Sequence, residues 1–89
     1  MKSIFKYQLE VTGWQEVEIR EGSKILCVQV QHGILCLWAM VDPHKSEMET
    51  VAIEIFGTGS TIPDGRRDYI GTAQMADGKL VWHVFKRHP

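Results

Sequence analysis

The sequence lacks the features that mark several large classes of protein. It has no apolar run approaching the roughly 20 residues that span a bilayer. Its 10 Lys and Arg residues are balanced by 11 Asp and Glu residues, so the formal charge is −1 and the basic surface of a nucleic-acid binder is not expected. Residues 1–23 contain no apolar segment typical of a signal peptide. These absences predict a cytoplasmic protein with neither a nucleic-acid nor a membrane partner.

Cysteine is also scarce, and the common motifs of catalysis are missing. The two cysteines, Cys27 and Cys36, form no CxxC pair, and no HxxxH pair is present, so no metal site is expected. Neither a GxxxxGK[ST] loop nor a G-x-S-x-G elbow occurs. We therefore expect no cofactor and no enzymatic activity. In the hairpin described below the cysteines lie diagonally, about 7–8 Å apart, which predicts free thiols in a reducing compartment.

The 89 residues predict a single domain, 1–89, with a modest core. No segment has a convincing helical pattern. Short alternating segments separated by turn signals instead predict an all-β fold, a small antiparallel sandwich or open barrel of about seven strands built on two β-hairpins. The predicted strands are residues 4–11, 15–20, 24–31, 34–41, 50–56, 69–75 and 80–85.

The first hairpin is the stretch from Lys24 to Val41, with a tight turn at His32-Gly33. Glycine at the second turn position supplies the positive φ that a two-residue hairpin turn needs. Pairing outward from Gln31 opposite Ile34 predicts one wholly apolar face, which must belong to the core. That face contains Leu26, Val28, Val30, Leu35, Leu37 and Ala39.

A second hairpin is predicted over residues 69–85, where Asp77-Gly78 is the strongest turn signal of the chain. Pairing outward from Met75 opposite Leu80 places small residues opposite large ones, which suits a packed core layer. The residues predicted to be buried are Ala73, Met75, Leu80, Trp82 and Val84. The opposite face pairs Gln74 with Val81, Thr72 with His83 and Ile70 with Phe85.

Both hairpins also carry large apolar residues on their second face. Only one face of each sheet lies inside a two-layer sandwich, and soluble monomers rarely expose a contiguous apolar patch. We therefore expect a homo-oligomer, since a two-fold axis needs only one self-complementary patch. The alternative is that loops of the same chain cover this surface. The candidate interface residues are Ile34, Cys36, Trp38 and Met40.

Residues 57–68 form the one long irregular segment, with three glycines and two adjacent arginines. Backbone N–H groups around glycines form anion-binding nests, and arginines clamp phosphates or carboxylates. This pattern predicts a small anionic ligand at residues 57–67, and the alternative is a connection whose glycines only serve turn geometry. The candidate ligand-binding residues are Gly57, Thr58, Gly59, Ser60, Arg66 and Arg67, and both arginines are expected to be exposed.

His83 is the remaining candidate for chemistry, because the predicted pairing places it beside Thr72 and Gln74. A histidine in this setting is more typical of a hydrogen-bonded surface residue than of a general base. A triad with Ser60 and Asp68 would require a geometry that sequence alone does not provide.

Several segments of the sequence are distinctive as a set: IFKYQLEV, ILCVQVQHG, LWAMVDP, IFGTGSTIP, YIGTAQM and GKLVWHVF. Together they resemble a family of short phage and prophage proteins of unknown function, from Ile4 to Phe85. The resemblance implies no catalytic residue. It implies a protein of the bacterial host cytoplasm, and small phage proteins of this size often bind host factors or neutralise host defences.

Two functional hypotheses from different classes result. The first is a non-enzymatic interaction protein that self-associates and binds a host or phage protein, for example as an inhibitor of host defence. The second is a binder of a small phosphate-bearing ligand or nucleotide at residues 57–67.

Overall fold

The computed structural model describes residues 1–89 and contains seven β-strands and no helix. The strands are β1 (Ser3–Gln8), β2 (Trp14–Arg20), β3 (Lys24–Gln31), β4 (Ile34–Val41), β5 (Met48–Gly57), β6 (Arg67–Met75) and β7 (Leu80–Arg87). All pair antiparallel, in two sheets. Sheet A has the order β1-β4-β3, and sheet B has the order β2-β5-β7-β6. The predicted all-β fold, built on two hairpins and arranged as a sandwich, is therefore confirmed.

The inner faces of the two sheets form one hydrophobic core. Alternation in β5 places Val51, Ile53 and Ile55 inside, as predicted from its β-branched residues. The most deeply buried residues of sheet A come from β4, its central strand. The core consists of Leu9, Ile19, Val28, Leu35, Leu37, Ala39, Val41, Val51, Ile53, Ile55, Ala73 and Val84.

The first hairpin has the predicted register near its turn and a different one farther away. His32 and Gly33 both have positive φ, and Val28 pairs with Leu37 as expected. The ladder then shifts between Ile25 and Cys27. The prediction that Leu26 lies in the core is therefore wrong, because a bulged residue reverses the in–out alternation of the strand. Leu26 is 40% exposed, and the preceding Ile25 packs against the core instead.

The second hairpin likewise has the predicted register near its turn and a shifted register farther away. Its pairs from Met75–Leu80 to Gly71–Val84 are as predicted, and the ladder then shifts between Tyr69 and Gly71. Ile70 therefore does not pair with Phe85, which faces Tyr69 instead. Leu80 was predicted to be buried and is 44% exposed, because it is the first residue of β7, next to the turn.

The second turn and the end of β1 also differ from the predictions. The second hairpin turn is centred on Ala76 and Asp77, which both have positive φ, and the Gly78 amide donates to the Met75 carbonyl at 3.1 Å. Strand β1 ends at Gln8 rather than at residue 11. Val11 consequently lies outside the sheet and is 45% exposed.

The two sheets approach each other most closely where β3 meets β6. A Cβ atom at Gly71 would lie 3.1 Å from Val28 Cγ2 and 3.7 Å from the Val28 backbone nitrogen. Glycine allows this approach because any side chain would separate the strands. The outer faces of both sheets are partly open to solvent, and they carry the candidate sites.

Candidate functional site

The outer face of sheet A contains a shallow apolar depression of about 270 Å³. Ile4 on β1 is 62% exposed, and Leu26 on β3 is 40% exposed, so two large aliphatic side chains meet solvent at its rim. Trp38 of β4 lies half-buried between these strands. We call this surface the apolar depression, and its lining residues are Ile4, Leu26, Cys27, Gln29 and Trp38.

The bulge in β3 accounts for much of this surface. Because Leu26 has no partner on β4, its side chain turns outward instead of inward, next to Cys27, which faces Trp38. One extra residue in a strand has thus moved a leucine from the core to the surface. The sequence gives no direct signal for this, and both Leu26 and Ile4 were missed as candidate interface residues.

The four predicted interface residues all lie on β4, and they differ in accessibility. Trp38 lines the apolar depression, and Met40 is half-buried opposite Ile4. Ile34 is 40% exposed beside the hairpin turn. Cys36 is only 1% exposed, so it is not available for contact with a partner.

A polar bridge explains why Cys36 is covered. The Lys6 Nζ atom on β1 donates a hydrogen bond to Gln31 Oε1 on β3 at 2.8 Å. Since β4 lies between β1 and β3, this bond passes over the outer surface of β4, where Cys36 lies between the register positions of its two partners. The outer face of sheet A is therefore divided into an apolar end at Trp38 and a bridged end at Cys36. Both cysteines are free, as predicted.

The predicted ligand loop connects β5 to β6 and lies beside the outer face of sheet B. Gly57 is the last residue of β5 rather than part of the loop. Its carbonyl accepts a hydrogen bond from the Ser60 amide at 3.1 Å, and Gly59 between them has a φ of +89°. Thr58 and Arg66 are exposed, as Arg66 was expected to be.

Arg67 is not exposed, and the prediction that it is exposed is wrong. Its side chain is 6% exposed, and its Nε donates to Glu54 Oε1 at 2.7 Å. Its Nη1 donates to the Pro63 carbonyl at 2.5 Å, and its Cζ lies 5.5 Å from the centre of the Phe56 ring. Arg67 reaches Glu54 of β5 across β7, which sequence could not reveal because it depends on strand order. Its charge is already matched by a carboxylate.

Arg87, rather than Arg67, is the partly exposed arginine that lies beside the loop together with Arg66. It pairs with Arg67 in the register of β6 and β7, and its side chain is 36% exposed. Its Nη1 lies 3.8 Å from Glu54 Oε1, which is beyond hydrogen-bond distance. Gly65 of the loop lies against this guanidinium, since a Cβ there would be only 2.5 Å from Nη1. Sequence reasoning missed Arg87 because it lies far from the glycine-rich segment in the chain.

A chain of hydrogen bonds connects the loop to the edge of sheet B. Thr58 Oγ1 lies 2.8 Å from His83 Nε2, and His83 Nδ1 lies 3.0 Å from Thr72 Oγ1. Thr72 Oγ1 in turn lies 2.5 Å from the Tyr69 hydroxyl oxygen. His83 thus has hydroxyl partners on both ring nitrogens, in agreement with its interpretation as a hydrogen-bonded surface residue.

A second recess of about 220 Å³ lies where β3 meets β6. At its edge His88 Nε2 lies 2.7 Å from Asp68 Oδ2, and this hydrogen bond lowers the pKa of the Asp68 carboxyl below its ordinary value. The lining residues are Ile19, Ser23, Ile25, Leu26, Asp68, Tyr69, Ile70 and Lys86. No group of three His, Cys, Asp or Glu side chains is arranged to hold a metal ion.

These features describe a small two-sheet β-domain whose two outer faces differ in chemistry. The chain belongs to the family described as Domain of unknown function (DUF7352), whose model matches residues 1–89. No curated protein and no solved structure matched the chain. The structure contains no helix of the length and hydropathy needed to cross a bilayer.

Proposed function

We propose that this protein is a non-enzymatic interaction domain that self-associates through the outer face of sheet A. The observation that carries the proposal is the apolar depression around Trp38. Ile4 and Leu26 at its rim are 62% and 40% exposed, and no other part of the chain covers them. Tryptophan and methionine are enriched in interface cores, and Met40 is next to this surface.

A second copy of the chain is the occupant that fits this face best. A two-fold axis through the apolar end of sheet A would bring two apolar depressions together, so each copy would bury the same residues. The formal charge of −1 opposes association only weakly. A chain of 89 residues also has a small core, for which burial against a partner is a general remedy.

The further partner in this proposal is a protein of a bacterial host or a phage. This part depends on the resemblance of the sequence to short phage and prophage proteins, and on nothing in the geometry. It includes a location in the host cytoplasm and a role in which the domain binds and inhibits a host-defence protein.

Two matched substitutions test the proposal. Trp38 lies in the apolar depression, whereas Trp14 is 55% exposed on the outer side of sheet B. We expect Trp38→Glu to produce a monomer in light scattering, because a buried carboxylate at the contact is strongly unfavourable. Trp14→Glu adds the same charge elsewhere and should leave the oligomer intact. A Trp38→Glu protein that keeps the oligomeric mass would refute this contact surface.

A second candidate function is the binding of a small phosphate-bearing anion at residues 57–67. The observation that favours it is the Arg87 guanidinium, which lies against Gly65 of the loop and is not hydrogen-bonded to Glu54. Exposed Arg66 adds a second positive charge, whereas the Arg67 guanidinium is already paired with the Glu54 carboxylate. Thermal melting with inorganic phosphate tests this function, since a ligand at 100 times its dissociation constant adds about 2.7 kcal/mol of stability.

A further inference from the structure

The most exposed aromatic ring of sheet B is fixed in place by its neighbours. Tyr69 is 60% exposed, yet its ring centre lies 5.4 Å from that of Phe85, with the two rings inclined at 59°. Its hydroxyl lies 2.5 Å from Thr72 Oγ1. A ring held at two points has already lost much of its rotational freedom, so a ligand that stacks on it meets a smaller entropic cost.

The hydrogen-bond chain that fixes Tyr69 also leaves one donor unused. Tyr69, Thr72, neutral His83 and Thr58 contribute one polar hydrogen each, and the chain has three links. If the bonds run from Tyr69 to Thr58, the Thr58 hydroxyl is free to donate, and in the opposite direction the Tyr69 hydroxyl is free. If Tyr69 and His83 both donate to Thr72, the Thr72 hydroxyl is free instead. In each arrangement one hydroxyl of the chain offers an O–H group to a ligand acceptor.

Arg87 supplies a positive charge next to this ring. It lies two residues after Phe85 on β7, and Phe85 pairs with Tyr69, so Arg87 and Tyr69 are diagonal neighbours on the same face. Diagonal neighbours have Cα atoms about 7–8 Å apart, within reach of one ligand. The nearest carboxylate, that of Glu54, already accepts a 2.7 Å bond from Arg67. The donors of Arg87 therefore remain available to a phosphate.

We infer that Tyr69 and Arg87 form a binding site for a nucleoside monophosphate, with the base stacked on the Tyr69 ring and the phosphate on the Arg87 guanidinium. This inference rests on the second candidate function and assigns its ligand and residues. A single-stranded nucleic acid fits the same chemistry less well. Glu16 and Glu18 lie on the outer side of β2, and they would repel a phosphate backbone that crosses the sheet.

The first experiment measures binding to the full chain by calorimetry, using the four common nucleoside 5′-monophosphates. The matched probes are inorganic phosphate, ribose 5-phosphate and the unphosphorylated nucleosides. We expect at least one nucleotide to bind about tenfold or more tightly than each of its parts, since both the stacking and the charged contacts contribute. Equal affinity for inorganic phosphate and nucleotide would overturn the inference, as would no binding at all.

Three variants assign the two halves of the ligand. Tyr69→Ala should weaken nucleotide binding roughly 5- to 150-fold, the usual effect of losing one stacking partner, and leave phosphate binding unchanged. Arg87→Gln should weaken both about tenfold or more. Lys79→Gln removes one charge in the exposed β6–β7 turn and should change neither. A Tyr69→Ala protein that binds nucleotide as tightly as the unmodified protein would refute the stacking role.

The same measurements separate this inference from the two proposed functions. Nucleotide binding that requires Arg87 but not Tyr69, and that is no tighter than phosphate binding, would support the anion site and overturn the nucleotide site. Trp38→Glu should bind nucleotide as tightly as the unmodified protein, because Trp38 lies on the other sheet. Amide spectra of each variant establish that it is folded, and nucleotide-induced shifts in the unmodified protein should centre on Tyr69, Thr72 and His83.

Discussion

The two outer faces of the sandwich differ in how many of their side chains have hydrogen-bonding or packing partners within the chain. On sheet B the Arg67–Glu54 ion pair, the packed rings of Phe56 and Phe85, and the bonds of His83 make the side chains one another's partners. On sheet A the corresponding surface has one polar bridge and a group of apolar side chains in solvent. The outer face of sheet B thus makes several of its polar and aromatic contacts within one chain, and the outer face of sheet A is the one for which we propose a partner.

The central strands explain this difference. Strand β4 has the sequence ILCLWAMV and carries no charge, so both of its faces are apolar. Strands β5 and β7, which lie at the centre of sheet B, carry Glu54, His83 and Arg87 on the outward positions of the alternation. These polar residues, interspersed with apolar ones on the outward positions, give sheet B an outer face that can form its own contacts.

The largest expected effect comes from the interior that both sheets share. Leu37 is 1% exposed, and Leu37→Ala should lower the free energy of unfolding by about 2–5 kcal/mol through lost burial and the cavity left behind. Ile34→Ala, on the same strand but 40% exposed, is the matched control and should cost clearly less. Urea unfolding measures both. Equal losses would mean that the inside and outside of β4 are wrongly assigned.

A smaller effect is expected from breaking the ion pair that completes sheet B. Arg67→Met leaves Glu54, whose side chain is 15% exposed, without its 2.7 Å partner. Loss of one partner of a buried pair is destabilising, here on the order of 2 kcal/mol because Arg87 at 3.8 Å replaces part of the interaction. Adding Glu54→Gln to this variant should recover part of the stability in urea unfolding. No loss in Arg67→Met would show that sheet B does not depend on its internal contacts.

The smallest effect concerns the acid dependence of stability at Asp68. Its pKa is lowered in the folded protein by the hydrogen bond from His88, so the contribution is present above the ordinary pKa of 3.8 and is lost as the pH falls through the folded value. His88→Ala should therefore raise the pKa of Asp68 toward its ordinary value. Carboxyl NMR titration measures this shift, and an unchanged titration would exclude His88 as its cause.

Much of the fold could be predicted because alternation and turn residues are local signals. The seven strands, the His32-Gly33 turn and the inner positions of β5 all follow from neighbours in sequence. The errors in the register of the two hairpins begin at the bulges of Leu26 and Ile70. Counting pairs outward from a turn assumes a continuous ladder, and an unpaired residue reverses every position beyond it.

The candidate sites were less predictable, because they depend on contacts between distant strands. Trp38 was found from the composition of β4 alone. Leu26 lies beside Trp38 in the apolar depression only because of the bulge in β3. Cys36 is covered by the hydrogen bond between Lys6 on β1 and Gln31 on β3. Arg67 is paired with Glu54, and Arg87 instead lies beside the loop, because β7 lies between β5 and β6. A strand order of this kind has no signature in a single sequence.

The most direct test of self-association through sheet A uses the indole N–H signals of the three tryptophans. Trp38 lies in the apolar depression, Trp14 on the outer side of sheet B, and Trp82 packs against the core. In 15N-labelled protein diluted from millimolar to low micromolar concentration, the Trp38 signal should shift toward its position in a monomer. The Trp14 and Trp82 signals should stay in place. A shift confined to Trp14, or no shift together with a mass of 10.2 kDa at the highest concentration, would contradict the account.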